Sequence, residues 1–174
     1  MLPEGVTQGD FDDAIGELRE ALGADAVIAQ DDARIGSYTD AYTPRRPEDN
    51  APSAAVAPTD VEQIQQVLAI ARKRKIPLWT VSTGRNFGYG GAAPRKAGCI
   101  VLDLKRMNRI IEVNEKHAYA VVEPGVTYHD LYTYLRKHDL KLWPDPSAPA
   151  WGGVLGNFAD RGVGYTPYGE HFTA

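Results

Sequence analysis

Residues 80–95, TVSTGRNFGYGGAAPR, place four glycines directly after an apolar run, and this segment limits the possible folds more sharply than anything else in the chain. Glycine is costly unless the backbone must turn tightly or approach another group closely, and amides gathered in this way suit a phosphate oxygen, pyrophosphate above all. Gly88, Gly90 and Ala93 even satisfy the dinucleotide-fold fingerprint if alanine is allowed in the last place. That fold is nonetheless excluded. The fingerprint has to open a helix, whereas Pro94 and Gly98 interrupt the chain, and Asp103 comes too early to be the ribose-binding carboxylate. Taken in isolation, a four-glycine loop is equally well explained as a pair of tight turns.

Upstream of the loop, Phe11, Ala14, Ile15, Leu18 and Leu22 recur at helical spacing, with Asp10 as N-cap and Gly23 just past the end. Residues 30–53 dissolve into Asp, Tyr, Arg and Pro and read as an extended arm wrapping a core supplied by later residues. Residues 54–57 form a short strand. Thr59 and Glu62 then have the spacing of a capping box, and Val61, Ile64, Leu68 and Ala71 mark the buried face of the helix it opens. The helix stops before Pro77 and residues 78–81 make a second strand, so the stretch is a βαβ unit with a right-handed crossover.

Beyond the loop, 100–104, 110–113 and 118–123 read as three strands whose short polar spacers suit antiparallel neighbours. Thr127 and Asp130 open another helix carrying Leu131, Tyr134 and Leu135, followed by a Pro-rich stretch at 143–149.

A net charge of -4 argues against a nucleic-acid partner, which would need clustered Lys and Arg to displace counterions. The one basic run, 72–75, closes a predicted helix and reads as a solvated helix end. The single Cys99 lies between Gly98 and Ile100 and reads as a small buried hydrophobe, with no disulfide or multi-cysteine metal site open to it. His117, His129 and His138 read as surface residues, His171 follows the last glycine motif, and no metal-ligand spacing links the four. The first ten residues lack a basic and apolar leader and no stretch is long enough to span a bilayer, so the expectation is a soluble, cytoplasmic protein.

Two further segments repeat the glycine signal: VVEPGVTY at 121–128, and WGGVLGNFADRGVGYTPYGEH at 151–171. Gly152, Gly153 and Gly156, read as helix-embedded, would let the backbone lie against a planar ring, with Asn157 and Thr166 facing its polar edge. Close helix packing is the alternative.

The runs TGRNFGYGGAAPR, EPGVTYHDLY and DRGVGYTPYGEH together resemble the FAD-binding domain of the p-cresol methylhydroxylase and vanillyl-alcohol oxidase family, over essentially the whole chain. The resemblance implies an α+β fold of the p-cresol methylhydroxylase type. An N-terminal βαβ lobe is followed by part of a mixed or antiparallel second lobe, so that 1–50 is a helix and arm and 51–174 is a partial FAD-binding domain. It implies FAD as cofactor, with Ser82, Gly84, Arg85, Asn86, Phe87, Gly88, Gly90 and Gly91 around the pyrophosphate. Gly152, Gly153, Gly156, Asn157, Gly162, Val163, Gly164 and Tyr165 would line the cofactor. Tyr89 would help hold a para-alkyl phenol as its phenolate, which pushes electrons to the para carbon so that a benzylic hydride leaves for the flavin and a quinone methide takes up water.

Family members continue well past this point. The resemblance therefore implies that the substrate domain, the covalent flavin link and the other phenolate-binding groups lie downstream, and that these 174 residues alone turn over no phenol. Ala148 stands where oxidases of the family carry an aspartate, and Asp145 is three residues too early. No histidine precedes the first strand to assist a histidyl-flavin bond. Both departures point to the methylhydroxylase side, with a cytochrome c subunit accepting electrons, a full-length homo-oligomer, and a periplasmic location as the alternative to the cytoplasm. The competing readings are a stand-alone, non-catalytic FAD-binding or scaffold module and a dioxygen-using oxidase. A 2-hydroxy-acid or sugar oxidoreductase is disfavoured because such substrates need no phenolate anchor.

Overall fold

The computed structural model describes every residue except 41, 43–45, 87–90, 147–148, 161, 165–170 and 173–174, with the backbone alone at 47, 171 and 172. The chain divides into two compact units, Met1–Arg106 and Met107–Ala174.

The first unit is built on a four-stranded sheet of β1 (Val27–Ala29), β2 (Ala54–Val56), β3 (Leu78–Val81) and β4 (Ile100–Asp103) in the order β1-β2-β4-β3. The outer β1 runs antiparallel to β2, while β2 and β3 both run parallel to β4. The strand expected at 100–104 is therefore central and parallel, not an antiparallel neighbour of the strand at 110–113. Residues 82–99 are long enough to carry the chain back along the sheet, and all four residues of β4 are buried, as a strand covered on both faces requires.

Side chains alternate across this sheet. Ala54, Val56, Ile100 and Leu102 join Phe11, Ala14, Ile15, Leu18 and Leu22 of α1 (Gln8–Leu22) and Val67 of α2 (Val61–Arg74) in one core. Ala55, Val81 and Val101 face the other way, where Tyr38 and Ala92 complete a second buried cluster.

The apolar stripe of α1 is the one its spacing predicts, but the N-cap is Thr7, not Asp10. The Thr7 hydroxyl accepts from the Asp10 N–H at 3.1 Å and donates to the Asp10 carboxylate at 2.6 Å, which leaves Asp10 in the first turn. In α2 the cap moves by one residue. Asp60 accepts from the Gln63 N–H at 2.8 Å and Gln63 reaches back to the Thr59 N–H at 2.8 Å, because a carboxylate is a stronger acceptor for first-turn amides than a hydroxyl. The buried side of α2 is accordingly Val67 and Ala71 with Ile64 and Ile70 beside them, while Val61 and Leu68 face outward.

The basic run at 72–75 closes α2 as expected, with Arg72, Lys73 and Lys75 exposed, but Arg74 is half-buried and the run is also paired. Arg74 pairs with Glu17 at 2.6 Å, Asp13 at 3.1 Å and Asp10 at 3.4 Å, and Lys73 with Glu17 at 3.0 Å, clamping α2 to the acidic side of α1. The segment 30–53 does wrap the core, but not in extended form. It contains 3-10 turns at Ala33–Tyr38 and Pro47–Asn50, the first opened by Asp32, whose carboxylate accepts from the Arg34 N–H at 2.8 Å. Cys99 is buried as expected, and burial pushes its thiol pKa up.

The second unit contains an antiparallel hairpin of β5 (Ile110–Asn114) and β6 (Tyr119–Val122), then α3 (Tyr128–Lys137), α4 (Val154–Ala159) and a short pair of β7 (Val163–Gly164) with β8 (His171–Phe172). The capping box of Thr127 and Asp130 is present as the sequence predicts. Val126, Leu131 and Leu135 form the core, with Ile110, Val113, Val122 and Val154 against it. On the other side of the hairpin Ile111, Tyr119 and Val121 are exposed. Arg109 clasps the buried Glu123 through its backbone N–H at 2.7 Å and its guanidinium at 2.6 and 2.8 Å, which holds that carboxyl below its ordinary pKa. His117, His129 and His138 are exposed, as expected. Among the described residues no helix is long and apolar enough to cross a membrane.

Candidate functional site

In the first unit the three parallel strands end on one edge of the sheet, the position where open parallel sheets receive ligands. Val81 of β3 is in register with Asp103 of β4, and the glycine loop leaves directly from Val81. The loop bends at 82–84 and returns through a turn at 91–92. Gly84 has φ +66°, and a Cβ there would lie 2.7 Å from the Ala92 Cβ, so the outgoing and returning limbs are in contact. The Gly91 N–H donates to the Asn86 carbonyl at 2.7 Å and closes the turn. Ala92, Ala93 and Pro94 are buried, and the Asn50 amide donates to the Pro94 carbonyl at 2.7 Å, which ties down the returning limb. Ser82 and Asn86 are half-buried and Arg85 is exposed. Phe87, Gly88, Tyr89 and Gly90 lie outside the described residues.

Beneath the loop lies a polar cluster that sequence reasoning missed. Tyr38 donates its hydroxyl to the Asp103 carboxylate at 2.7 Å, and the Lys105 ammonium stands 2.8 Å from the same oxygen. The Lys105 N–H donates to the other carboxylate oxygen at 3.0 Å. Asp103 and Tyr38 are both almost fully buried, and burial together with the Asp103 carboxylate pushes the Tyr38 hydroxyl above its ordinary pKa, so it remains a donor. The available signal was an aspartate closing an apolar strand, IVLD, where a fourth apolar residue would be ordinary.

In the second unit the stretches 126–129 and 150–154 are laced together. The Tyr128 N–H donates to Gly152 O at 3.1 Å, the His129 N–H to Ala150 O at 2.8 Å and the Val154 N–H to Val126 O at 3.0 Å. Only Gly156 is inside a helix. Gly152 sits in the preceding turn, its carbonyl engaged in this lacing, and Gly153 is the N-cap of α4, with extended backbone and its carbonyl accepting the Asn157 N–H. Asn157 donates its amide to the Tyr128 hydroxyl at 2.9 Å and accepts the Gly162 N–H on its backbone carbonyl at 2.8 Å. A Cβ on Gly162 would collide with the Asn157 side chain, and one on Gly164 with the Asp145 carboxylate. Gly152, Gly153, Gly156, Asn157, Gly162, Val163 and Gly164 are thus gathered around α4, whereas Ala148, Tyr165 and Thr166 lie outside the described residues. His171 is known by its backbone, which pairs with Gly164.

Residues 52–172 match the FAD binding domain family. This chain belongs to that family. The chain is 50% identical to the flavoprotein subunit of 4-cresol dehydrogenase (hydroxylating) from Pseudomonas putida, over 99% of its own length and 33% of that subunit. It superposes on p-cresol methylhydroxylase with substrate bound at a TM-score of 0.93 and 49% identity, covering 98% of this chain and 33% of that one. The 4-ethylphenol oxidase of Gulosibacter chungangensis, in its isoeugenol complex, gives a TM-score of 0.92 and 44% identity with the same two coverages, 98% and 33%. The chain spans about a third of the length of the relatives it matches. The α+β architecture is that of the p-cresol methylhydroxylase type, and the cofactor of the family is FAD.

The residues present fit that cofactor. The glycine loop is a closed turn at the carboxyl edge of parallel strands, with no helix among its described residues, and it carries an exposed cation in Arg85. In the second unit the backbone at Gly162 lies close against the Asn157 side chain and that at Gly164 against Asp145, a close packing that glycine permits.

Proposed function

We propose that this chain is the cofactor-binding portion of a flavoenzyme that oxidises para-alkyl phenols. The observation that carries the substrate class is 50% identity to the 4-cresol dehydrogenase flavoprotein subunit, sustained over 99% of the chain. When bound, FAD supplies the acceptor for a hydride from the benzylic carbon. Backbone amides between Ser82 and Gly91, helped by the Arg85 guanidinium, hold the diphosphate. The glycines from Gly152 to Gly164 let backbone lie flat against the ring system, with Asn157 turned to its polar edge by Tyr128. The Tyr89 hydroxyl donates to the phenolate oxygen of the substrate. A charge-assisted hydrogen bond there keeps the phenolate ionised and oriented, which pushes electron density toward the para carbon.

In this reading electrons leave to a cytochrome subunit, supported by Ala148 in the place of the oxidase carboxylate. The likeness to 4-ethylphenol oxidase supports a second reading, reoxidation by dioxygen. Both are tested on the complete gene product mixed anaerobically with 4-cresol, 4-ethylphenol, glycolate or glucose. The flavin absorbance is expected to bleach with the two phenols only, and to return faster with cytochrome c than with dioxygen. Bleaching by glycolate or glucose but not by the phenols would overturn the substrate class. Peroxide formation keeping pace with phenol loss would select the oxidase.

A further inference from the structure

The cluster of Tyr38, Asp103 and Lys105 is not explained by packing alone. Asp103 is only 3% exposed, yet it sits at the edge of the sheet from which the loop departs and carries a charge next to where an anion is to bind. Adjacent strands stand about 4.8 Å apart and consecutive Cα atoms about 3.8 Å, so its register with Val81 puts the Asp103 Cα roughly 6 Å from that of Ser82. A lone buried carboxylate there would repel a diphosphate. Lys105 cancels it: the ammonium is 2.8 Å from Asp103 Oδ2 and 5.4 Å from the centre of the Tyr38 ring, while its side chain remains 52% exposed toward solvent. Tyr38 fixes the arrangement from below, because its ring belongs to the buried cluster containing Val81 and Ala92, the two stems of the loop, and its hydroxyl holds the carboxylate.

We propose that Asp103, Lys105 and Tyr38 set the charge at the diphosphate-binding loop: Lys105 offsets the buried carboxylate of Asp103, which Tyr38 holds in place, and so keeps the loop mouth open to a dianion. These are positioning residues, since none of them has to touch the cofactor. The inference rests on the reading of 82–91 as the diphosphate loop.

The test uses the complete gene product as apoprotein, titrated with FAD and separately with ADP, which carries the diphosphate without the flavin. Lys105→Met is expected to weaken both ligands about fivefold at about 0.01 M salt and to lose most of that effect at about 0.5 M, where a charge this far away is screened. Lys105→Arg restores affinity to within about twofold, as it keeps the charge. Asp103→Asn keeps a side-chain acceptor for Tyr38 and removes the repelling charge, so it binds at least as tightly as the wild type. A purely structural role would weaken Lys105→Met and Asp103→Asn in the same direction and independently of salt, and that result overturns the proposal. So does unchanged affinity in Lys105→Met. If Asp103→Asn fails to fold, the Lys105 pair read at two salt concentrations decides alone. Reduction of the wild-type holoprotein by 4-cresol is measured on the same preparation, so that failure of the phenol-oxidising reading shows there and failure of the charge-setting inference shows only in the variants.

Discussion

Replacing Gly84 by alanine isolates how tightly the loop is closed. Two costs add at this position. The backbone, at φ +66°, lies in the left-handed region, which costs an L-residue about 1–2 kcal/mol, offset by about 0.4–1 kcal/mol because alanine restricts the unfolded chain. The new methyl group would also stand 2.7 Å from the Ala92 Cβ, when carbon atoms rest about 3.5–4.0 Å apart. The neighbour has little room to give, since Ala92 and Ala93 are buried and Pro94 is tied to Asn50. Overpacking of this kind adds about 1–3 kcal/mol, for a total of about 2–4 kcal/mol. Gly5 is the control: its φ is +77° and nothing lies within 4 Å of its added Cβ, so Gly5→Ala carries the backbone cost alone, about 1 kcal/mol. Equilibrium urea unfolding of the two variants, compared at the midpoint with unchanged slope, reads the difference. If Gly84→Ala costs no more than Gly5→Ala, the limbs of the loop are not in contact and the closed turn is wrong.

Tyr89→Phe in the complete enzyme is expected to lower turnover of para-alkyl phenols by the loss of one hydrogen bond to a charged partner, about 1.5–3 kcal/mol in kcat/KM, and unchanged steady-state kinetics would return Tyr89 to a packing role. Glu123 has its pKa lowered by Arg109, so it contributes stability that is present above the unfolded carboxyl value near about 4.3 and is lost as pH falls through the lower folded value. Glu123→Gln should therefore be less stable than the wild type at neutral pH, with the gap closing under acid. A gap in thermal midpoint that stays constant from neutral pH to about pH 3 would contradict the pairing.

What could be read from the sequence is what depends on near neighbours. The stripe of α1 follows from a 3.6-residue period, and the Thr127–Asp130 box closes over three residues, so both were legible. The caps of α1 and α2 were misread by small offsets because serviceable donors and acceptors occur side by side: Thr7 with Asp10, and Thr59, Asp60, Glu62 with Gln63. For α2 the error extended to the face, since Val61 and Leu68 are apolar but turned outward. The place of β4 was not legible at all. A strand of IVLD joins whichever partners the tertiary fold brings to it, and the central parallel position is decided by β2 and β3.

The site divides along the same line. Glycine spacing marks where backbone must come close to itself or to a ligand, because no other residue tolerates the approach, and that much is written locally in 82–91 and 152–164. It does not say what holds the backbone there. The groups that do so in the first unit come from the arm: Tyr38 lies 65 residues from Asp103, and Asn50 lies 44 residues from Pro94. A segment of Asp, Tyr, Arg and Pro has no periodicity from which to infer such partners. The two side chains that matter are the ones whose polar atoms are buried, and burial exists only once the sheet has formed. An arm that read as a wrapping around the core is therefore a structural half of the loop, and substitutions in it should act on the loop without touching a glycine.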